Sequence, residues 1–126
     1  MKKRIVLDTN FLYALFIRKD SCHKEAKEIL LSWDSTTEII IPQIVVCELI
    51  ISQEKLDFIN LSKKFTKRFT PNSEKDLNFI LSIPPDVKIQ IKAIDCLILS
   101  ICKRYNARLV TFDKKLQKAY ETLIIN

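Results

Sequence analysis

The chain has 126 residues, 48% of them apolar, four cysteines, one histidine and a formal net charge of +6. That length suits one domain spanning 1–126 with one proper core, and no apolar run reaches the roughly 18 residues of a membrane helix. Glycine is absent, which argues against a Walker loop, a dinucleotide fingerprint or any Gly-rich phosphate cradle.

Met1-Lys2-Lys3-Arg4 is basic, but only a few apolar residues follow before Asp8, too few for a signal-peptide core. A soluble, cytoplasmic protein with no membrane partner is expected. Residues 3–7 read as a short strand bounded by the turn formers Asp8 and Asn10. Phe11 to Phe16 begins a helix. Asp20 and Ser21 are candidate caps for a second helix, on which Cys22, Ala26, Ile29, Leu30 and Trp33 recur at helical spacing as a core stripe. His23, the lone histidine, reads as a surface helix residue, which excludes a His-rich metal site.

Ser35-Thr36-Thr37 is a polar turn, and Glu38 to Ile41 a buried strand ended by Pro42. Proline is tolerated in the first turn of a helix, so the next helix is placed from Pro42 through Glu48 to Gln53. A further helix is expected over 55–67. Phe65 to Phe69 reads either as the end of that helix or as a short strand. Residues 68–92 are punctuated by Pro71, Pro84 and Pro85, with a candidate helix over Ser73 to Ile83.

Ile94, Leu97, Ile98, Ile101, Cys102 and Tyr105 form an i, i+3, i+4 stripe on a helix over 95–105, with Asn106 as its stop. Leu109 to Phe112 is a strand, and Asp113 caps a last helix carrying Leu116, Ala119 and Tyr120. Leu123-Ile124-Ile125 reads as a final edge strand. None of the cysteines (Cys22, Cys47, Cys96, Cys102) forms a CxxC pair, so they read as structural thiols rather than zinc ligands.

Short unbroken apolar strands alternating with helices are the pattern of an α/β domain with a parallel sheet covered on both faces. Such sheets bind ligands outside the carboxyl ends of their strands, where strand order reverses. Asp8 and Asp113 fall at that end of their strands. Asp95 and Glu48 lie on helices able to face the same edge.

Each carboxylate also has a plain structural reading. Asp8 could close an Asx turn, Asp95 and Asp113 could cap helices, and Glu48 could pair with a buried cation. A carboxylate beside a buried segment costs free energy unless it is paired or binds a metal. Four together, without His or Cys, suit Mg²⁺ or Mn²⁺. Such ions clamp phosphoryl oxygens. Lysines and arginines cluster at 2–4, 63–68, 103–108 and 114–118, either as a solvated surface or as a face for a polyanion. A phosphodiester is the natural substrate of the two features combined.

Four segments resemble the motifs of PIN-domain ribonucleases, most closely the VapC-type toxins of toxin–antitoxin modules. They are Ile5-Val6-Leu7-Asp8-Thr9-Asn10-Phe11-Leu12, then Ile41 to Leu49 around Glu48, then Asp95 to Ser100, then Leu109 to Leu116 around Asp113. The resemblance covers essentially the whole chain. It implies a parallel sheet of about five strands between helices. It implies an acidic pocket in which Asp8, Asp95 and Asp113 ligate Mg²⁺ or Mn²⁺, Glu48 ligates or orients water, and Asn10 and Thr111 hydrogen-bond. It also implies an RNA substrate, an antitoxin partner and a homodimer.

The sequence departs from the family pattern at bulky Leu99 and Ile101, at Asn106-Ala107-Arg108 before the last strand, and at Lys115-Leu116. Two phosphoryl-transfer folds also place aspartates at strand ends. A dehalogenase-like phosphatase wants Asp-x-Asp where this chain has Asn10, and a receiver domain wants paired acidic residues before its first helix. A PIN nuclease of RNA processing outside any toxin pair, or a catalytically silent PIN-like module that binds RNA or protein, remains compatible with the motifs.

Overall fold

The computed structural model describes residues 3–51 and 66–125. Four strands, β1 (Lys3–Leu7), β2 (Thr37–Pro42), β3 (Thr66–Thr70) and β4 (Arg108–Val110), form one parallel sheet in the order β3-β2-β1-β4. Ile5, Val6, Leu7, Ile39, Ile40 and Ile41 are each fully buried, and β2 is buried at all six positions. A strand buried on both faces has no use for polar alternation, which is why these segments read as unbroken apolar runs.

The helices are α1 (Thr9–Phe16), α2 (His23–Leu31), α3 (Gln43–Ile51), α4 (Glu74–Ser82), α5 (Pro85–Lys88), α6 (Ala93–Tyr105) and α7 (Lys114–Tyr120). The chain builds outward from β1 through β2 to β3, then crosses back to place β4 on the other side of β1. Strand order therefore reverses between β1 and β4, the point where such sheets open a crevice at their carboxyl edge. α6 packs against β1, α3 and α4. Leu99 and Ile101, bulky where the family is small, are fully buried and fill the space beneath this helix.

Several expectations need correction. The sheet has four strands among the described residues, not five, because Leu123 to Ile125 lie in a π-helical segment, Glu121–Ile125, that continues α7. The Tyr120 hydroxyl lies 3.3 Å from the Ala107 carbonyl, to which it donates. A side chain thus takes a backbone acceptor just before β4, at the sheet edge where an added strand would pair.

Pro42 is the last residue of β2, aligned with Thr70, and α3 starts one residue later. Residues 66 and 67 are strand rather than helix end, so the strand reading of that segment holds. The rest of the helix expected over 55–67 lies outside the described residues. α2 is capped at Cys22 rather than at Asp20 or Ser21, although the Asp20 carboxylate accepts from the Cys22 N–H at 2.8 Å. α6 starts two residues before Asp95, with Lys92 as its N-cap. His23 is half-buried rather than a free surface residue. Its Nδ1 lies 2.7 Å from the Ala14 carbonyl, so that nitrogen carries the proton and ties α2 to α1.

Candidate active site

Asp8 leaves β1 in extended geometry and caps α1, its Oδ1 accepting from the Phe11 N–H at 3.0 Å. Its Oδ2 accepts from the Thr111 hydroxyl at 2.5 Å, a contact across the β1–β4 reversal. Thr111 Oγ1 in turn accepts from the Asp113 N–H at 3.0 Å. Asn10 Oδ1 accepts from the Phe112 N–H at 3.2 Å. Beneath these bonds the Phe11 ring stacks on Phe112 at 5.6 Å and meets Trp33 at 5.9 Å. The junction after β1 and the junction after β4 are therefore locked together, by polar bonds above and aromatic packing below.

Asp113 is the N-cap of α7, its Oδ1 accepting from the Lys115 and Leu116 N–H groups at 2.9 and 3.1 Å. Asp95 sits in the first turn of α6, its Oδ2 accepting from the Lys92 N–H at 3.0 Å. Glu48, half-buried on α3, accepts the Thr9 hydroxyl on Oε1 at 2.6 Å. It makes no ion pair among the described residues. Asp8, Glu48, Asp95 and Asp113 line one cavity of about 250 Å³, with Thr9 and Asn10 between them. Thr111 is not in the lining and holds Asp8 and Asp113 from behind.

The electrostatics follow from this crowding. Asp8 is 4% exposed, and burial pushes its carboxyl up to about 6. The Thr111 and Phe11 hydrogen bonds oppose that rise, while the charges of Asp113 and Asp95 add to it. Asp95 is also raised, by burial first and then by Asp113 and Glu48, against the Lys92 N–H bond and the Lys92 charge. Burying ionised carboxylates beside one another is the arrangement that a cation relieves.

The donor set fits a hard cation by its chemistry, since all four groups offer carboxylate oxygen. Their orientation is not that of a finished site. Among the described residues no three His, Cys, Asp or Glu side chains form a ready-made metal site. Both oxygens of Asp8 are committed to protein donors, and one oxygen of each of the other three. Asp95 Oδ1, Asp113 Oδ2 and Glu48 Oε2 are left with no hydrogen-bond partner among the described residues. Mg²⁺ keeps several of its waters when bound, so a loose ring of carboxylates can serve it.

Sequence reasoning missed Thr9, the residue that orients Glu48. Its position between Asp8 and Asn10 on the first turn of α1 was the available signal. It also missed a second buried carboxylate, Asp76, 1% exposed on α4. Asp76 accepts from the Ser100 hydroxyl, from the Ser73 N–H at 2.7 Å and from Asn72 at 2.9 Å, with Arg104 3.7 Å away. Burial raises its carboxyl, but the three hydrogen bonds and the Arg104 charge outweigh that and hold it below its ordinary value. Arg104 also donates to Ser73 Oγ and the Pro71 carbonyl. This network clamps α4 to α6 and lines none of the acidic cavity. The Ser-x-x-Asp pattern of a helix start was its signal in the sequence. Cys96 and Cys102 are buried, and burial raises their thiols, which keeps them protonated and unreactive.

A family model described as PIN domain matches residues 5–122. No curated protein matches the chain. Among solved structures, VapC20 of Mycobacterium tuberculosis, a sarcin–ricin-loop-cleaving toxin, is similar at 17% identity and a TM-score of 0.68, over 91% of this chain and 94% of that one. VapBC2 of Rickettsia felis, in complex with a fragment of promoter DNA, is similar at 23% identity and a TM-score of 0.58, over 92% of each chain. At these identities the likeness is one of fold.

Proposed function

The chain belongs to the PIN-domain family, and from that premise we propose that it is a metal-dependent endoribonuclease acting as the toxin of a toxin–antitoxin pair. One observation carries the reading. Four carboxylates from the ends of β1 and β4 and from α3 and α6 line one cavity at the carboxyl edge of the sheet. Helix capping accounts for Asp8, Asp95 and Asp113 one at a time, but gathering four carboxylates around one cavity costs free energy without a cation.

Asp8, Asp95, Asp113 and Glu48 would hold Mg²⁺ or Mn²⁺, directly or through water. The bound ion supplies Lewis-acid activation of water and charge stabilisation at the phosphoryl group. Asp8 is anchored on both oxygens, so it fixes the centre of the site relative to β1 and β4. Glu48, held on Oε1 by Thr9, would use its other oxygen to ligate the ion or to orient the attacking water. Asn10 and Thr111 keep the two strand-end junctions in register. Lys114, Lys115 and Lys118 are exposed beside Asp113 and suit backbone phosphates, which position an RNA without reading its sequence.

An antitoxin protein and a second copy of the chain are the partners this reading carries. The fold shared with a toxin and with a toxin–antitoxin complex supports it. A silent RNA- or protein-binding module is favoured by one fact, that every carboxylate of the site already accepts a protein hydrogen bond. Divalent-ion binding separates the two. Isothermal titration with Mn²⁺ should show a site that Asp8→Asn weakens at least tenfold, and no measurable binding would support the silent module.

A further inference from the structure

We propose that the wall of the cavity not made of carboxylates is a nucleotide subsite, in which the Tyr13 ring stacks on a base beside the scissile phosphate and the Lys92 ammonium meets a neighbouring phosphate. The inference rests on the nuclease reading and names how that site grips its substrate.

A pocket that only bound a cation would need oxygen donors. This one is also lined by Tyr13, Lys92, Ile94 and Ile98. Tyr13 lies three and four residues beyond Asn10 and Thr9 on α1, so helical geometry presents its ring on the face that carries those two polar groups. Ile94 and Ile98 are likewise four apart on α6, flanking Asp95. Ile98 is buried and forms the back wall, whereas Tyr13 and Ile94 are half-buried and offer surface to a ligand. An aromatic face and an aliphatic one beside charged oxygens match a nucleobase joined to a phosphodiester.

A cavity of about 250 Å³ has room for one unstacked nucleotide and none for a paired helix. Stacking on an aromatic ring tolerates any base, because every base has a π-face. Lys92 is exposed at the N-cap of α6, and its charge is felt at Asp95. Among the described residues it is the one cationic side chain in the lining of the cavity. A phosphate there would be bound by a point charge, without sequence information.

The test uses the full chain. Unpaired RNA is cut by the parent protein and the cut is mapped. The same RNA is then made with an abasic site at the flanking nucleotide, and binding of both RNAs is measured on an Asp8→Asn background. Tyr13→Leu should weaken the intact RNA by roughly 5- to 100-fold and leave the abasic RNA unchanged, while Tyr13→Phe binds like the parent. Lys92→Gln should weaken both RNAs alike and lower the salt dependence by about one phosphate contact. Equal loss on both RNAs with Tyr13→Leu, or no loss on either, overturns the subsite while leaving the nuclease intact. A parent that neither cuts nor binds RNA overturns the nuclease reading and the subsite with it.

Discussion

Asp8 is asked to be buried, ionised and close to two other carboxylates, and its raised carboxyl records the cost. A carboxyl raised in the folded state binds protons that the unfolded chain has already released. Its stabilising effect is therefore fully present below about pH 4 and is lost as pH rises through about 6. The shift of about two units corresponds to a loss on the order of 3 kcal/mol. Asp8→Asn should remove that loss. Urea unfolding in EDTA should show the variant gaining stability over the parent between pH 4 and pH 7, whereas a parallel pair of curves would contradict the assignment.

Thr9 tests the other anchor. Thr9→Val keeps the shape and removes the hydroxyl on Glu48, so RNA cleavage should fall about tenfold or more with little change in melting temperature, while Thr9→Ser keeps activity. Equal activity of all three would mean that Glu48 needs no anchor. At this scale the sequence showed which residues carry charge, because a carboxylate at the edge of an apolar run stands out. It did not show Thr9 or Asp76, whose meaning comes from partners 39 and 24 residues away.

Helices and strands were legible where periodicity was strong and vague where proline or the sheet edge decided. α6 follows its stripe, and Asn106 stops it in the left-handed region at φ 49°, the only positive φ among the described residues. Asparagine tolerates that conformation, glycine adopts it freely, and a β-branched residue is strained there. Asn106→Gly should leave stability unchanged or raise it slightly, and Asn106→Val should cost about 1–2 kcal/mol, read from thermal unfolding.

Local pattern offered the Ser73-x-x-Asp76 start of α4 but not its clamp to α6, because the members of that clamp come from two helices and the loop before α4. Removing its centre with Asp76→Ala leaves Ser100 without its acceptor and Arg104 without its counter-charge and should destabilise the fold by about 2–3 kcal/mol without changing metal affinity. Metal binding that fell in step would mean the two clusters are coupled. The final apolar triplet misled as a strand for a similar reason. A short apolar run has no period of its own, and here it continues the helical path of α7.

In the whole molecule, alternation of apolar strands with helices was enough to expect a parallel sheet, and the reversal beside β1 places Asp8 and Asp113 in one crevice. What alternation could not give was the number of strands or the distances among the four carboxylates. Those depend on how α3 and α6 lean over the crevice, which is a matter of packing. A cation drawn to this crevice must displace the proton of Asp8, so Mn²⁺ affinity should decline as pH falls below about 6. Titration at pH 5 and pH 7.5 checks this, and equal affinities would remove Asp8 from the ligand set.

The most direct test is RNA cleavage by the purified chain, freed of any bound antitoxin. It is run with Mn²⁺ or Mg²⁺ and with EDTA, beside Asp8→Asn and Asp113→Asn. Cleavage that requires the ion and is lost in both variants is the predicted result. Cleavage that persists in EDTA or in either variant would contradict the acidic cavity as the site of the reaction.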